Sequence, residues 1–447
     1  MNRLLTLIVL FLALFSGINA VHAAPSDIDA IIKKSPLDKT SVIAVSVKNA
    51  RTGNVLYEYN QEKLLNPASA LKVFTLAPAL YTLGKDYQFK TQLYKDAKNN
   101  LYIKLAGDPT LTTNSLSSLL SQYQGSVQDI IIDPSAVDYL EWGVGWMWDD
   151  DASPYFPKFS QFSVNENKIS VNIKPGTNNA QPEIKNRSNY QIVLVNKLKN
   201  GSKNNITVSR MPWQAGEITV FEGTVANETT IKIPVDYTDR HFVSCLEQAL
   251  SKAGLKPTGS IKVSLLPENV QLVDEVASAP LNELVAITLK ESNNLNTELI
   301  FKAAGGKFTG SQGSTLGGVK MFEDYYSNIK KSKPVIADAS GTSRNDLVCV
   351  DWMTDALNKF YNQKNFAEFE TMLAKPVEGT LSNRLLEISR FLRAKTGTLS
   401  GASSLTGYVT AKSGTKYAFA IIIQNYAVPT AEAKALEDKI VNAIYLH

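Results

Sequence analysis

Histidine is nearly missing from this chain. Its 447 residues include three, His22, His241 and His447. His22 lies in an N-terminal leader and His447 is the last residue, so His241 is the one candidate base for a Ser-His-Asp triad. A triad needs its imidazole within hydrogen-bond reach of the serine. His241 falls in the helical pattern "RHFVSCLEQALSKAGL", where a surface helix position is the expectation. A serine enzyme built from this chain therefore needs another base. Cysteine is as scarce. Cys245 and Cys349 stand 104 residues apart. They can pair in an oxidising compartment or stay as two buried thiols. No cysteine and histidine cluster has zinc-ligand spacing, and no metal or organic cofactor is expected. The net charge is only +4, and no basic run is interleaved with aromatics, which excludes nucleic acid as an expected partner. Beyond the leader, no apolar stretch is long enough to span a bilayer.

What is present starts with that leader. Arg3 precedes an apolar run from Leu4 to Phe15, broken only by Thr6, and small-residue sites end at Ala23 and Ala24. This is the pattern of a cleaved secretory signal peptide, residues 1–23, so a periplasmic or otherwise extracytoplasmic protein is expected. The mature length allows two or three domains with sizeable cores.

Both ends of the mature chain read as one α+β unit. "SVIAVSVK" and Val55 to Tyr59 alternate around "NARTGN", a hairpin, and an apolar helix follows from Pro67. At the C-terminal end, "RAKTGTL", "ASSLTGYVTA" and "YAFAIIIQNY" read as three strands before a closing amphipathic helix. The middle has another texture, with short strands and the helix around His241. Residues 177–235 alternate without any helical pattern. The expected organisation is a discontinuous main domain, 24–87 and 270–447. An α/β domain, 88–176 and 236–269, is inserted in it, and an all-β module, 177–235, is nested in the insert. Around Trp142, Trp146 and Trp148 three uses compete, namely packing, peripheral membrane contact and self-association as a homodimer. Packing is favoured.

The chemistry-bearing residues lie in three stretches. In "NPASALKVFTLAPALYTLG", Ser69 and Lys72 stand at i and i+3 on one helix face. A buried lysine loses hydration, its pKa falls, and the neutral amine can take a hydroxyl proton. Free N–H groups at the helix start suit a developing oxyanion. The same Ser-x-x-Lys spacing recurs at Ser327 and Ser413, in polar surface contexts. In "LKESNNLNTEL", Ser292 and Asn294 can face a cleft from between two helices, or serve as a helix cap. In "RAKTGTLSG", Lys395 and Thr396 can offer charge and a hydroxyl to an anion, and Gly397 lets another backbone approach.

The joint order of hairpin, Ser-x-x-Lys helix, Ser-x-Asn and Lys-Thr-Gly strand resembles the penicillin-recognising serine enzymes. The large insert is similar to that of the low-molecular-mass class C penicillin-binding proteins, the D-alanyl-D-alanine carboxypeptidase/endopeptidase family. "LAGDPTL", "GWMWDD", "DASGTSRND" and "GTLSNRL" add to the likeness. The resemblance implies a β-lactamase/transpeptidase-like antiparallel sheet with helices on both faces. It implies a DD-peptidase acting on peptidoglycan peptides and acylated by β-lactams. Ser69 would be the nucleophile and Lys72 its base. Ser292 and Asn294 would assist proton transfer and hold the substrate, Lys395 and Thr396 would bind the terminal carboxylate, and Gly397 would belong to the same substrate-binding strand. The N–H groups of Ser69 and Thr398 would form the oxyanion hole. Asp150, Tyr155 and Arg344 would sit near the diamino acid of the peptide. Two rivals stay open. A β-lactamase-like hydrolase fits the insert poorly, and a non-catalytic scaffold fits the intact motifs poorly.

Overall fold

The computed structural model describes residues 24–178, 180–210 and 217–447, and the expected signal peptide, residues 1–23, lies outside the described residues. The chain runs through α1 (Ala24–Lys34), α2 (Leu37–Thr40), β1 (Val42–Asn49) and β2 (Val55–Tyr59), then a 3-10 turn (Ala68–Leu71) that continues as α3 (Lys72–Leu83). Next come β3 (Lys90–Lys95), β4 (Leu101–Lys104), α4 (Thr113–Leu120) and β5 (Ile130–Asp133). A run of strands follows: β6 (Lys168–Lys174), β7 (Glu183–Asn186), β8 (Val193–Asn200), β9 (Asn205–Arg210), β10 (Ile218–Val225) and β11 (Thr229–Pro234). The chain continues through α5 (Thr238–Lys252), β12 (Ile261–Val263), β13 (Gln271–Ala277), α6 (Leu281–Glu291), α7 (Asn294–Thr309) and α8 (Thr315–Tyr325). It ends with α9 (Val350–Tyr361), α10 (Phe366–Met372), β14 (Leu392–Leu399), β15 (Ala402–Thr410), β16 (Lys416–Gln424) and α11 (Thr430–Leu446).

The main sheet has the order β14-β15-β16-β1-β2 and is antiparallel throughout. Chain start and chain end therefore share one sheet. Its central strands read as unbroken apolar runs because both faces are covered, so each face takes every second residue. On β16, Phe419, Ile421 and Ile423 pack with Ile28 and Ile32 of α1 and Leu436 and Ile440 of α11. Ala418, Ala420 and Ile422 pack on the other face, with Leu76 of α3 and Trp352 and Leu357 of α9. This is the expected α+β arrangement, an antiparallel sheet between two helical layers.

A second sheet, β12-β5-β4-β3-β13, mixes parallel and antiparallel pairs and carries α4 and α5 through Leu116, Leu120, Phe242 and Leu246. Two three-stranded sheets, β8-β10-β9 and β11-β6-β7, enclose Val171, Phe221 and Ile233. Two strands lie across the expected domain boundaries. β13 pairs with β3, so residues 271–277 join the second sheet. β6 pairs with β11 and β7, so residues 168–174 join the all-β strands. Alternation marks a strand without naming its partner.

His241 corrects an expectation. It is 1% exposed, not on the surface, with Nε2 3.5 Å from Cys245 Sγ and its ring 5.4 Å from that of Tyr190. Burial pushes the imidazole down to about 4. The nested strands cover a helix face that one-helix periodicity reads as exposed. Cys245 and Cys349 are both free and buried, in different cores. Trp146 packs edge-on against Trp142, Phe156 and Phe159, the favoured use of that stretch, whereas Trp148 is exposed.

Candidate active site

Ser69 sits in the 3-10 turn, and Lys72 opens α3. A helix from Pro67 was expected; the first turn is instead the tighter form, in which i and i+3 eclipse. That stacks the two side chains and places Lys72 Nζ 2.9 Å from Ser69 Oγ. The turn is braced from three sides. Ala68 has a left-handed backbone, φ +46°, and its N–H is held by Asn66 Oδ1 at 2.9 Å. A Cβ on Gly341 would come within 1.9 Å of Ala68 O, and one on Gly397 within 2.7 Å of Pro67 O. Only glycine admits two backbones this close to the nucleophile candidate.

Lys72 is fully buried. Its Nζ contacts Ser69 Oγ, Asn294 Oδ1 at 2.6 Å and Ser340 O at 2.6 Å. Asn294 Nδ2 donates to Tyr155 O at 2.6 Å, which turns the amide so that its oxygen faces Lys72. The charged ammonium donates to all three. The neutral amine has two N–H groups and one lone pair. Asn294 Oδ1 and Ser340 O can only accept, so the lone pair is left for the one partner that can donate, the Ser69 hydroxyl. Burial pushes Lys72 down to about 7, against the opposing pull of Asp338, Glu298 and Asp346. Near neutral pH the amine is therefore poised between the two forms.

Ser292 caps α6 in the left-handed region, φ 59°, and its Oγ accepts from Lys395 Nζ at 2.9 Å. The capping duty considered for this motif falls on Asn293, whose side chain accepts from Asn296 N at 3.0 Å. That frees Ser292 and Asn294, on either side of it, for the cleft. Lys395 is fully buried and also donates to Thr396 O at 2.7 Å. Burial, and then the charge of Lys72, hold its ammonium well below the ordinary lysine range.

β14 is an edge strand. Ala394 N leaves the sheet to reach Ala374 O at 2.9 Å. In an antiparallel strand the backbone groups of alternate residues point to the same side. Thr396 and Thr398 share the parity of Ala394, so their N–H and C=O groups also face away from β15. Thr396 Oγ1 donates to Thr380 Oγ1 at 2.6 Å.

Ser69, Ser292, Asn294, Thr396 and Thr398 line one cleft of about 540 Å³. Asp150, Tyr155 and Arg344 line it too. Arg344 holds Asp150 with both terminal nitrogens, at 2.9 and 3.2 Å, and its guanidinium lies over the Phe156 ring. Tyr155 presents an exposed ring. The buried Lys72, Lys395 and Gly397 stand behind this wall. Every site residue expected from the sequence is thus at the cleft or directly beneath it. A cavity of similar size, about 560 Å³, is lined by His241 and Cys245, but burial pushes that imidazole down to about 4 and that thiol up, which disfavours a thiolate–imidazolium pair.

Four participants escaped the sequence reading. Thr380 extends the Thr396 hydroxyl. Asp338 ties the loop 338–343, accepting from Gly341 N at 2.6 Å, Thr342 Oγ1 at 2.8 Å and Ser343 N at 2.7 Å, and also from Trp146 Nε1 at 2.6 Å. Glu298 accepts from Ala339 N and Ser340 N, and Asp346 from Ala337 N. Burial, then Asp338, raise both Glu298, to about 8, and Asp346. The stretches holding these residues drew notice in the sequence, but nothing in them marked the side chains.

The chain is 25% identical over 423 residues to the D-alanyl-D-alanine carboxypeptidase DacB of Haemophilus influenzae, covering 89% of this chain and 88% of that one. It is 26% identical over 447 residues to the D-alanyl-D-alanine carboxypeptidase of Actinomadura sp. (strain R39), covering 90% of this chain and 81% of the other. Its fold matches the crystal structure of penicillin binding protein 4 (dacB) from Haemophilus influenzae with a TM-score of 0.83 at 24% identity, over 94% of this chain and 99% of that one. The model of the D-Ala-D-Ala carboxypeptidase 3 (S13) family matches residues 24–444, a span that takes in the whole Ser69 cleft and all four sheets described above, and the chain belongs to that family of serine carboxypeptidases.

Proposed function

We propose that Ser69 is the nucleophile of this DD-peptidase, Lys72 its base, and peptidoglycan stem peptides ending in D-Ala-D-Ala its substrates, outside the cytoplasm. The neutral amine of Lys72 takes the Ser69 proton as Oγ bonds to the carbonyl carbon of the penultimate D-alanine. The N–H groups of Ser69 and Thr398 receive the oxyanion, one from the braced turn and one from the open edge of β14. The C–N bond then breaks. The leaving amine collects the proton that Lys72 took, directly or by relay through Ser292, which gives its own proton to the amine and is refilled with the one from Lys72. Either way the amine of Lys72 is neutral again. The Ser292 oxygen accepts from Lys395, which leaves the Ser292 O–H free for the cleft. D-alanine departs, or a neighbouring stem peptide when a crosslink is cut. Water attacks the ester, Lys72 takes its proton, and Ser69 Oγ leaves with a proton restored.

The hydroxyls of Thr396 and Thr380, with Lys395 behind them, suit the terminal carboxylate of the substrate. The Arg344–Asp150 pair, which lines the same cleft, suits a side chain carrying both an amine and a carboxylate. A β-lactam places a strained amide at the same point and acylates Ser69. The main sheet with its helices forms the catalytic unit, and the other sheets form the inserted units.

One observation carries this reading: Lys72 has three hydrogen-bond partners, and Ser69 is the one that can reverse the bond. The test is the intact mass of the mature chain after incubation with benzylpenicillin, beside Ser69→Ala. A lasting adduct on the wild type alone is expected. Drug consumed without an adduct would assign a β-lactamase, and an unmodified protein with intact drug would sink the catalytic reading.

A further inference from the structure

Helix α7 buries a stripe of polar side chains at a spacing of four, Asn294, Glu298 and Lys302, all on one face. Lys302 is tied to Asp138 at 2.6 Å and to Leu140 O. Asn294 touches Lys72 directly. Glu298, between them, is fully buried and bonds neither lysine. Its carboxyl group faces the backbone of the loop 338–343, where Oε1 accepts from Ala339 N at 3.0 Å and from Ser340 N at 2.8 Å. The carbonyl of the same Ser340 is the third partner of Lys72, at 2.6 Å.

We propose that Glu298 is a positioning residue for the base: by pinning the N–H groups of Ala339 and Ser340 it aims the Ser340 carbonyl at Lys72 Nζ and so turns the lysine lone pair toward Ser69. One helix then sets two of the three contacts of Lys72, Asn294 directly and Ser340 O through Glu298. The geometry needs an acceptor oxygen rather than a charge. One oxygen takes both N–H groups, and a protonated acid keeps a carbonyl oxygen that does the same. The upward push on this carboxyl, from burial and then Asp338, leaves that function in place. Asp338 complements it from inside the loop through Gly341 N and Ser343 N, so the strap is held from both sides.

The proposal rests on Ser69 and Lys72 acting as nucleophile and base. Glu298→Gln keeps the size and the accepting Oε1. Glu298→Met keeps the bulk and removes the acceptor, stranding two buried N–H groups. Two quantities are measured on each folded variant: the rate of Ser69 acylation by benzylpenicillin, and hydrogen exchange of the 339–341 backbone. Glu298→Met is expected to acylate about 100-fold more slowly, the scale of a base displaced by a fraction of a bond length. Its loss should appear in the acylation step and not in the apparent affinity, because the β14 edge is untouched. Glu298→Gln is expected to recover at least about tenfold of that loss and to keep the loop protected.

Acylation and loop protection must move together. A variant that loses protection yet acylates normally overturns the proposal, and so does one that keeps protection yet acylates slowly. If only Glu298→Gln folds, the same rule decides from it alone. Peptide mapping of the wild-type adduct separates the two ideas: a label away from Ser69 sinks the nucleophile assignment, whatever Glu298 does.

Discussion

Lys48 and Lys72 are 3% and 0% exposed, and the regions that bury them differ in kind. Lys48 lies between β1 and α9, against the carboxylate of Asp351 and Asp355 Oδ1 at 2.5 Å. Lys331 reaches the same Asp351 at 2.8 Å. Lys72 lies beneath the cleft and touches only uncharged atoms, the oxygens of Ser69, Asn294 and Ser340. The acidic side chains of Asp338, Glu298 and Asp346 pull on it without a hydrogen bond to it. Direct contact with a carboxylate fixes a lysine as a structural cross-link. Contact with neutral acceptors, one of them a hydroxyl, leaves an amine that can gain and lose a proton.

The contrast can be broken by exchange. Lys72→Met is expected to lower acylation about 10³- to 10⁴-fold, the scale of a positioned general base, and to leave the fold intact. Stopped-flow acylation with a chromogenic β-lactam measures it, and a loss below tenfold would take the base role from Lys72. Lys48→Met should do the reverse. Removing one member of a buried pair costs about 3–5 kcal/mol where the partner is left unpaired, and Lys331, which stays on Asp351, should hold the loss near the lower figure. Urea unfolding reads that loss, while the acylation rate of the folded protein should match wild type. Slow acylation in Lys48→Met would dissolve the distinction.

A smaller effect sharpens it. Lys72 is pushed down to about 7, so the neutral amine grows as pH rises through 7. Acylation should therefore increase with pH and level off above it, with roughly a tenfold deficit at pH 6 relative to the plateau. A profile that is flat between pH 5 and 8 would count against a titrating amine. The smallest effect concerns Thr380. Thr380→Val removes the partner of the Thr396 hydroxyl, and about 1 kcal/mol of binding should go, seen as a fivefold rise in KM with kcat little changed. An unchanged KM would free the carboxylate subsite from Thr380.

Legibility followed chemistry that is local in sequence. Ser69 and Lys72 are three residues apart, and Lys395 and Thr396 are neighbours, so one turn or one strand sets each pair. The hairpin and the three C-terminal strands were legible for the same reason, since their alternation and turns are short-range signals. Glu298 and Thr380 were not, because each meets its partner through a contact between distant segments. His241 was misplaced because its cover comes from another unit, and β6 and β13 pair across the expected bounds at 177 and 270 because a strand's alternation does not name its partner.

The amino-acid order by itself determined the chemical groups and their local spacing: a hydroxyl and an amine one turn apart, a serine and an amide two residues apart between helices, a lysine and a threonine on a strand. Only the tertiary structure decided what those groups are. Burial strips water from Lys72 and moves its proton affinity to the neutral range. The loop held by Glu298 and Asp338 supplies the third acceptor, and the two glycines let the turn press against its neighbours. Desolvation and orientation belong to surroundings assembled from residues far apart along the chain, and no local spacing encodes them.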